Sequence, residues 1–348
     1  YESQARPAFF NGEFIVSTLS GANDGNYSYG ELSLSEAVEL ANRSSDHNAI
    51  RFAPGLRSYS PSLSTIAIRE TLKIEWDVTI SGPGKNLIHL SGGNQRRVLE
   101  IGTLANVTIE GVTILDGTDG IDLNHPDRVD GGGLFNAGNT TIQNVVFRNN
   151  TSGGTIGGVG GGGAIVNAGT MVVRDTFFQS NITGGSGGSI HNRSGEMVVG
   201  PDVEITTSRA RGDGGGGISN RARMLIVDST IRSNSAGNGG GIYNVGNLEV
   251  RRSVIQSNSG GKNGGGIFSQ HSISIFDSTI WANNATGWDL DRTGTGRGGG
   301  IYVIPTGAGI VEIDRTTIRG NTAGALPLNA EFGSRRGEGG GMYINPAG

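Results

Sequence analysis

A chain of 348 residues without cysteine has neither a disulfide framework nor a thiolate metal site. Its formal net charge of −4 gives nucleic acid no electrostatic footprint, and no apolar run approaches the ~18 residues of a membrane span. Hydrophobic content is only 34% and there are 63 glycines, but the glycines recur before strands and at turns, so the chain reads as ordered.

No signal peptide is visible and the chain opens at Tyr1, so a removed leader is the expectation. In chain order, FIVST (14–18) reads as a strand and LSLSEAVELAN (32–42) as a short helix N-capped by Ser33 or Ser35. The helix stripe Leu34, Ala37, Val38 and Ala41 is placed to cover the first open coil, as a solenoid requires, so residues 1–60 are assigned to an N-terminal cap and 61–348 to the array. VTISGPG (78–84), LIHLSGGN (87–94), RVLEI (97–101) and VTIEGVTIL (107–115) are loose strand units. Eight close copies of one phrase follow: GGGLFN (131–136), GGAIVN (162–167), GGSIHN (187–192), GGGISN (215–220), GGGIYN (239–244), GGGIFS (264–269), GGGIYV (298–303) and GGGMYI (339–344).

The first seven are each followed by a second phrase of the type FRNN or IRSN, ending at Asn150, Asn181, Ser208, Asn234, Asn258, Asn283 and Asn321. The apolar fourth positions of the GGG phrase lie 31, 25, 28, 24, 25, 34 and 41 residues apart. A floor near 24 with insertions above it is the signature of a solenoid. Strands this short with this much glycine exclude helical repeats and predict an all-β, right-handed parallel β-helix of about 11–12 coils. Position four of the phrase points inward and position five outward; the recurrent Asn residues form stacked amide ladders. The glycines allow positive φ and close packing of coils, since a strand and not a helix follows each of them, which rules out a phosphate loop. The last phrase lacks a second phrase, so the chain is expected to belong to a longer surface protein.

The alternation of GG-x-[ILVY] with [FI]-x-x-N resembles the paired repeat of the polymorphic outer-membrane proteins of chlamydiae and related bacterial β-helix proteins. LSLSEAVELAN resembles the Cys-Ser-Leu-Arg-Glu-Ala box that opens many secreted bacterial β-helix proteins: Ser33, Leu34, Glu36 and Ala37 match, while Leu32 stands for the Cys and Ser35 for the Arg. The resemblance spans about residues 14–344 and implies a parallel β-helix and a secreted or cell-surface bacterial location. For activity it implies little, since such proteins include adhesins, passenger domains and polysaccharide-active enzymes.

Residues beyond the minimal coil fall between the second phrase and the next GGG, so they emerge along one edge. They include LDGTDGIDLNHPDRVD (115–130), RARGD (209–213), GWDLDRTGTGR (287–297) and LPLNAEFGSRRGE (326–338). Of 27 basic residues only Lys73, Lys85 and Lys262 are lysine, a bias that reads either as bidentate capture of carboxylate or sulfate by arginine or as genomic base composition. An acidic polysaccharide or host glycan is therefore the expected partner. Tyr243, Phe268, Tyr302 and Tyr343 occupy position five, with Trp288 and Arg292 on a neighbouring insertion. They read either as a stacking ladder or as a sugar-binding strip.

Asp116, Asp119, Asp122, Asp127 and Asp130 supply hard oxygen ligands for Ca2+ or form a solvated acidic loop. A Ca2+-assisted uronate lyase would need a base near C5 and a cation on the carboxylate. Arg211, Lys262, Asp213, Asp291, Arg297 and His191 are candidates by location, and Asp213 with Asp289 or Asp291 is a candidate hydrolytic pair. A non-catalytic adhesin or passenger, or a structural surface protein, is the competing expectation. A second column, Arg148, Arg232 and Arg319, reads as a solvated face.

Overall fold

The computed structural model describes residues 9–10, 12–28, 30–56, 64–119, 131–153, 160–287, 296–306, 309–324 and 339–345. They form a parallel β-solenoid of four sheets with twelve, ten, ten and seven strands, plus one α-helix. Among the described residues only Phe9–Phe10 pairs antiparallel, onto Glu13–Val16.

The coil beginning at Gly239 shows the plan. Ile242–Asn244 lies in what we call the GGG sheet, Asn247–Arg251 in the broad sheet, Val254–Gln256 in the phrase-two sheet and Ser259–Gly260 in the short-strand sheet. Residues 261–263 then turn the corner to the next GGG phrase. Each strand pairs in register with its counterpart one coil on, Ile242 opposite Ile267 and Val250 opposite Ile275.

The core follows from that register. Leu134, Ile165, Ile190, Ile218, Ile242, Ile267 and Ile301 stack as one fully buried column. In the phrase-two column Ile66, Leu90 and Ile114 precede Phe147 and Phe178, whose rings are 5.0 Å apart, and Ile205, Ile231, Ile255 and Ile280 continue it. Each such side chain is worth about 2–3 kcal/mol of hydrophobic burial.

The two Asn ladders occupy the turns beside this core. Asn136, Asn167, Asn192, Asn220 and Asn244 pass Nδ2 to Oδ1 bonds of 2.7–2.9 Å from coil to coil, and Asn244 closes on Ser269 Oγ at 3.0 Å. In the second ladder the Oδ1 of Asn181, Asn258, Asn283 and Asn321 accepts both the backbone N–H and Nδ2 of the preceding member, as Asn258 does from Asn234 at 3.0 and 3.1 Å. At Ser208 that ladder changes chemistry: Ser189, which replaces the third Gly of its phrase, has its hydroxyl 2.7 Å from Ser208 Oγ and accepts from Asn181.

The glycines of the phrase have distinct reasons, seen at 239–241. Gly239 sits at φ +60, a Cβ on Gly240 would lie 2.3 Å from the Ser259 backbone, and one on Gly241 would lie 3.0 Å from the ladder amide of Asn258. The turn from the broad sheet to the phrase-two sheet also needs a left-handed residue, supplied by Asn144, Asp175, Asp202, Asp228 and Asp277, which tolerate it. Arg252 and Arg315 take the same place at φ +45, and each forms a bidentate pair with the Asp one coil earlier, Asp228 or Asp277. These exposed pairs hold both carboxyls below their ordinary range.

The helix spans Leu34–Ala41 and is capped by Ser33, whose Oγ accepts from Glu36 N while Ser33 N donates to Glu36 Oε2 at 2.9 Å. Of the two serines proposed as cap, Ser35 instead donates to Gly21 O. The expected stripe Leu34, Ala37, Val38 and Ala41 is buried, joined by Leu40. The helix packs near Glu13–Val16, Asn48–Phe52 and Leu72–Ile74, and Asn42 bonds Lys73 O and Glu75 N. The buried Glu36 also accepts from Asp24 N and Asn26 N, pinning the preceding loop.

Candidate functional site

Position five of the GGG phrase points away from the core, but it is not a solvent-facing row. Val166, His191, Ser219, Phe268 and Tyr302 are buried, with Phe135, Tyr243 and Tyr343 half-buried. The residue preceding the GGG phrase of one coil folds over position five of the next. Gly161 leaves no room for a Cβ against the His191 ring, 2.6 Å away, and Arg297 lies 5.5 Å over the Tyr343 ring; in the coil before the first GGG phrase, Arg97 lies 5.4 Å over Phe135. Alternation gives the direction of a side chain, whereas its cover comes from the neighbouring coil.

The four aromatic residues stack on one another. Tyr243–Phe268, Phe268–Tyr302 and Tyr302–Tyr343 have centroids 5.1, 5.3 and 5.4 Å apart, with interplanar angles of 1°, 15° and 1°. Their faces are thus used within the ladder. Hydroxyls reach the rim: Tyr243 Oη donates to Gln270 Oε1 at 3.2 Å, and Asn345 Nδ2 donates to Tyr302 Oη at 3.4 Å.

At the corner itself, Asp213 and Lys262 pair at 3.3 Å although they stand two coils apart. The coil between places Gly237 under them; a Cβ there would lie 2.5 Å from Asp213 Oδ1. Arg211, two residues before Asp213 in sequence, is exposed. Burial raises the Tyr243 hydroxyl pKa; Asp213 adds to the rise and Arg221 opposes it, so all three share one neighbourhood. Arg221 was not foreseen from the sequence. It is exposed and forms no side-chain hydrogen bond or ion pair among the described residues. The available signal was positional, since Arg193 and Arg221 directly follow the ladder Asn in two successive phrases.

His191 is 3% exposed, and its Nδ1 has no hydrogen-bond partner. Burial, then the charges of Arg221 and Arg193, push its pKa down to about 3. It is a neutral imidazole, covered by the preceding coil. Ser219, its neighbour one rung on, is also fully buried with an unpartnered hydroxyl.

Of the acidic cluster, Asp116 occupies a left-handed turn at φ +50, and Asp119 accepts from Ser152 Oγ at 3.0 Å and Gly153 N at 2.8 Å. Asp122, Asp127 and Asp130 lie outside the described residues, as do Trp288, Asp289, Asp291 and Arg292. Among the described residues no three His, Asp or Glu side chains gather as a metal-binding group. Nor, among them, is any helix long and apolar enough to cross a membrane. No family model matches the chain, and no curated protein matches it.

Proposed function

We propose that the chain is the ligand-binding scaffold of a secreted or cell-surface protein and that it holds an acidic polysaccharide along the corner edge. The observation that carries this reading is the aromatic ladder with a cation at each end: Arg221 near Tyr243 and Arg297 over Tyr343. Guanidinium groups beside a rigid row of ring edges and hydroxyls match the carboxylates and hydroxyls of an acidic glycan. The paired phrases, through their likeness to outer-membrane repeats, support the surface setting. Binding without cleavage is favoured, because Asp213 and Lys262 neutralise each other and His191 is covered.

The test is affinity electrophoresis in pectate, alginate, glucuronan and sulfated glycans, with and without Ca2+, while absorbance follows unsaturated ends. Saturable retardation by one polymer, weakened in Arg221→Ala and without product, is the expected result. No retardation by any polymer would refute binding, and rising absorbance would replace it with eliminative cleavage.

A further inference from the structure

The phrase-two sheet carries a second row, on its outward face, two residues before each ladder Asn. Register places Arg148, Gln179 and Thr206 on three successive rungs, then Arg232, Gln256 and Trp281 on the next three, then Arg319. Arginine thus returns every third rung, about 14 Å at the strand spacing of about 4.8 Å. A side-chain amide follows each of the first two arginines.

The row is not a fully neutralised surface. Arg148 has a buried Nε without an acceptor, and no acidic side chain pairs with it among the described residues. Its charge reaches His89, where, after burial, it further lowers the imidazole pKa. Thr206 Oγ1 is buried without a partner in the same row. Arg319 is exposed and lies 5.5 Å over the Trp281 ring. Arg232 alone is answered, by Glu204.

We propose that this row is a second track for the acidic polysaccharide, resting on the reading above and adding a further binding face to the corner edge. The spacing defines the ligand. One pyranose advances an extended chain by about one rung. A linear polyuronate with a three-residue helical repeat therefore turns one carboxylate in three toward the sheet, in step with Arg148, Arg232 and Arg319. Gln179 and Gln256 donate to hydroxyls of the sugars between, and the rim of Trp281 supports one ring. Successive contacts act on one chain, so affinity grows with chain length.

The experiment is calorimetric titration of the whole protein with size-defined oligouronates from two to ten sugars, with poly-glutamate as a non-saccharide polyanion. Affinity is expected to step up near four sugars and again near seven, as a second and third arginine come within reach. Arg148→Gln and Arg319→Gln should each weaken binding of the longest oligomer about five- to tenfold. Glutamine already occupies this row twice, so the fold accepts it. Glu204→Gln frees Arg232 and should tighten binding, a gain that a merely structural role would not produce. Wild-type binding that both arginine variants leave unchanged would overturn the track while sparing the polysaccharide reading. Equal affinity for poly-glutamate would overturn the saccharide assignment. Failure of the wild type to bind any oligouronate would overturn the track and the polyuronate together.

Discussion

Acidification should loosen this solenoid at one identifiable place. His191 is buried in the fold, with its pKa lowered from 6.5 to about 3. Between those values the unfolded chain binds a proton that the folded one refuses, so stability falls as pH drops from about 6.5 and levels off near 3. At about 1.36 kcal/mol per pH unit, the loss is about 3 kcal/mol by pH 4 and approaches 5 kcal/mol at the floor. Coils of a solenoid open locally, so the cost appears in the rungs around Ile190–Asn192 and Ile218–Asn220 and not as one global transition. The assay is amide exchange at pH 7, 5 and 4, corrected for intrinsic rates, in wild type and His191→Val. Valine already fills this column one coil earlier as Val166. The wild type should lose protection in those rungs on acidification and the variant should lose far less of it. An imidazole resonance of His191 titrating near 6.5, or identical pH dependence in the two proteins, would refute the argument.

Asn234→Ala removes the acceptor of Ser208 N and the donor to Ile205 O and Asn258 Oδ1, leaving buried groups unpaired. It should cost about 2–4 kcal/mol by urea titration of the central coils. Gly240→Ala sets a Cβ against backbone 2.3 Å away, whereas at Gly237 the nearest atom is the movable end of Asp213. The first should destabilise by about 3 kcal/mol or more and the second by about 1 kcal/mol, read from thermal melts. Ser189→Gly combined with Ser208→Asn rebuilds an uninterrupted second ladder. The double variant should match or exceed wild-type stability, while Ser208→Asn alone should crowd Ser189 and lose stability in the same melt.

How much of this was legible depended on whether a property repeats. The column Ile165 to Ile301 and both Asn ladders could be read because each recurs at the period of the coil, where stacking like neighbours stabilises them, and the helix stripe because its apolar residues recur at the helical period. The left-handed turns at Asp175, Asp228 and their equivalents repeat as well, but Arg252 and Arg315 interrupt them, so the turn was hidden until the bidentate pairs with Asp228 and Asp277 explained the exception. The burial of position five was not legible for a different reason. Its exposure is set by a residue one coil away, such as Gly161 over His191 or Arg297 over Tyr343, and no local pattern carries that information.

The same distinction separates scaffold from candidate site. A residue that must stack on its own kind, as an Asn does on the next Asn, cannot vary without disturbing two neighbours, so where Ser208 interrupts the ladder Ser189 compensates for it. Outward rows are less tightly coupled, because a rung there need not match its neighbours in kind. Arg221 beside Val245, and Arg148 beside Gln179, stand in rows whose rungs differ freely in charge and size. Where the solenoid leaves identity unconstrained, an arginine recurring every third rung is not dictated by packing. That is why the row from Arg148 to Arg319, beside the corner edge, is a surface on which a ligand would leave its mark in the sequence.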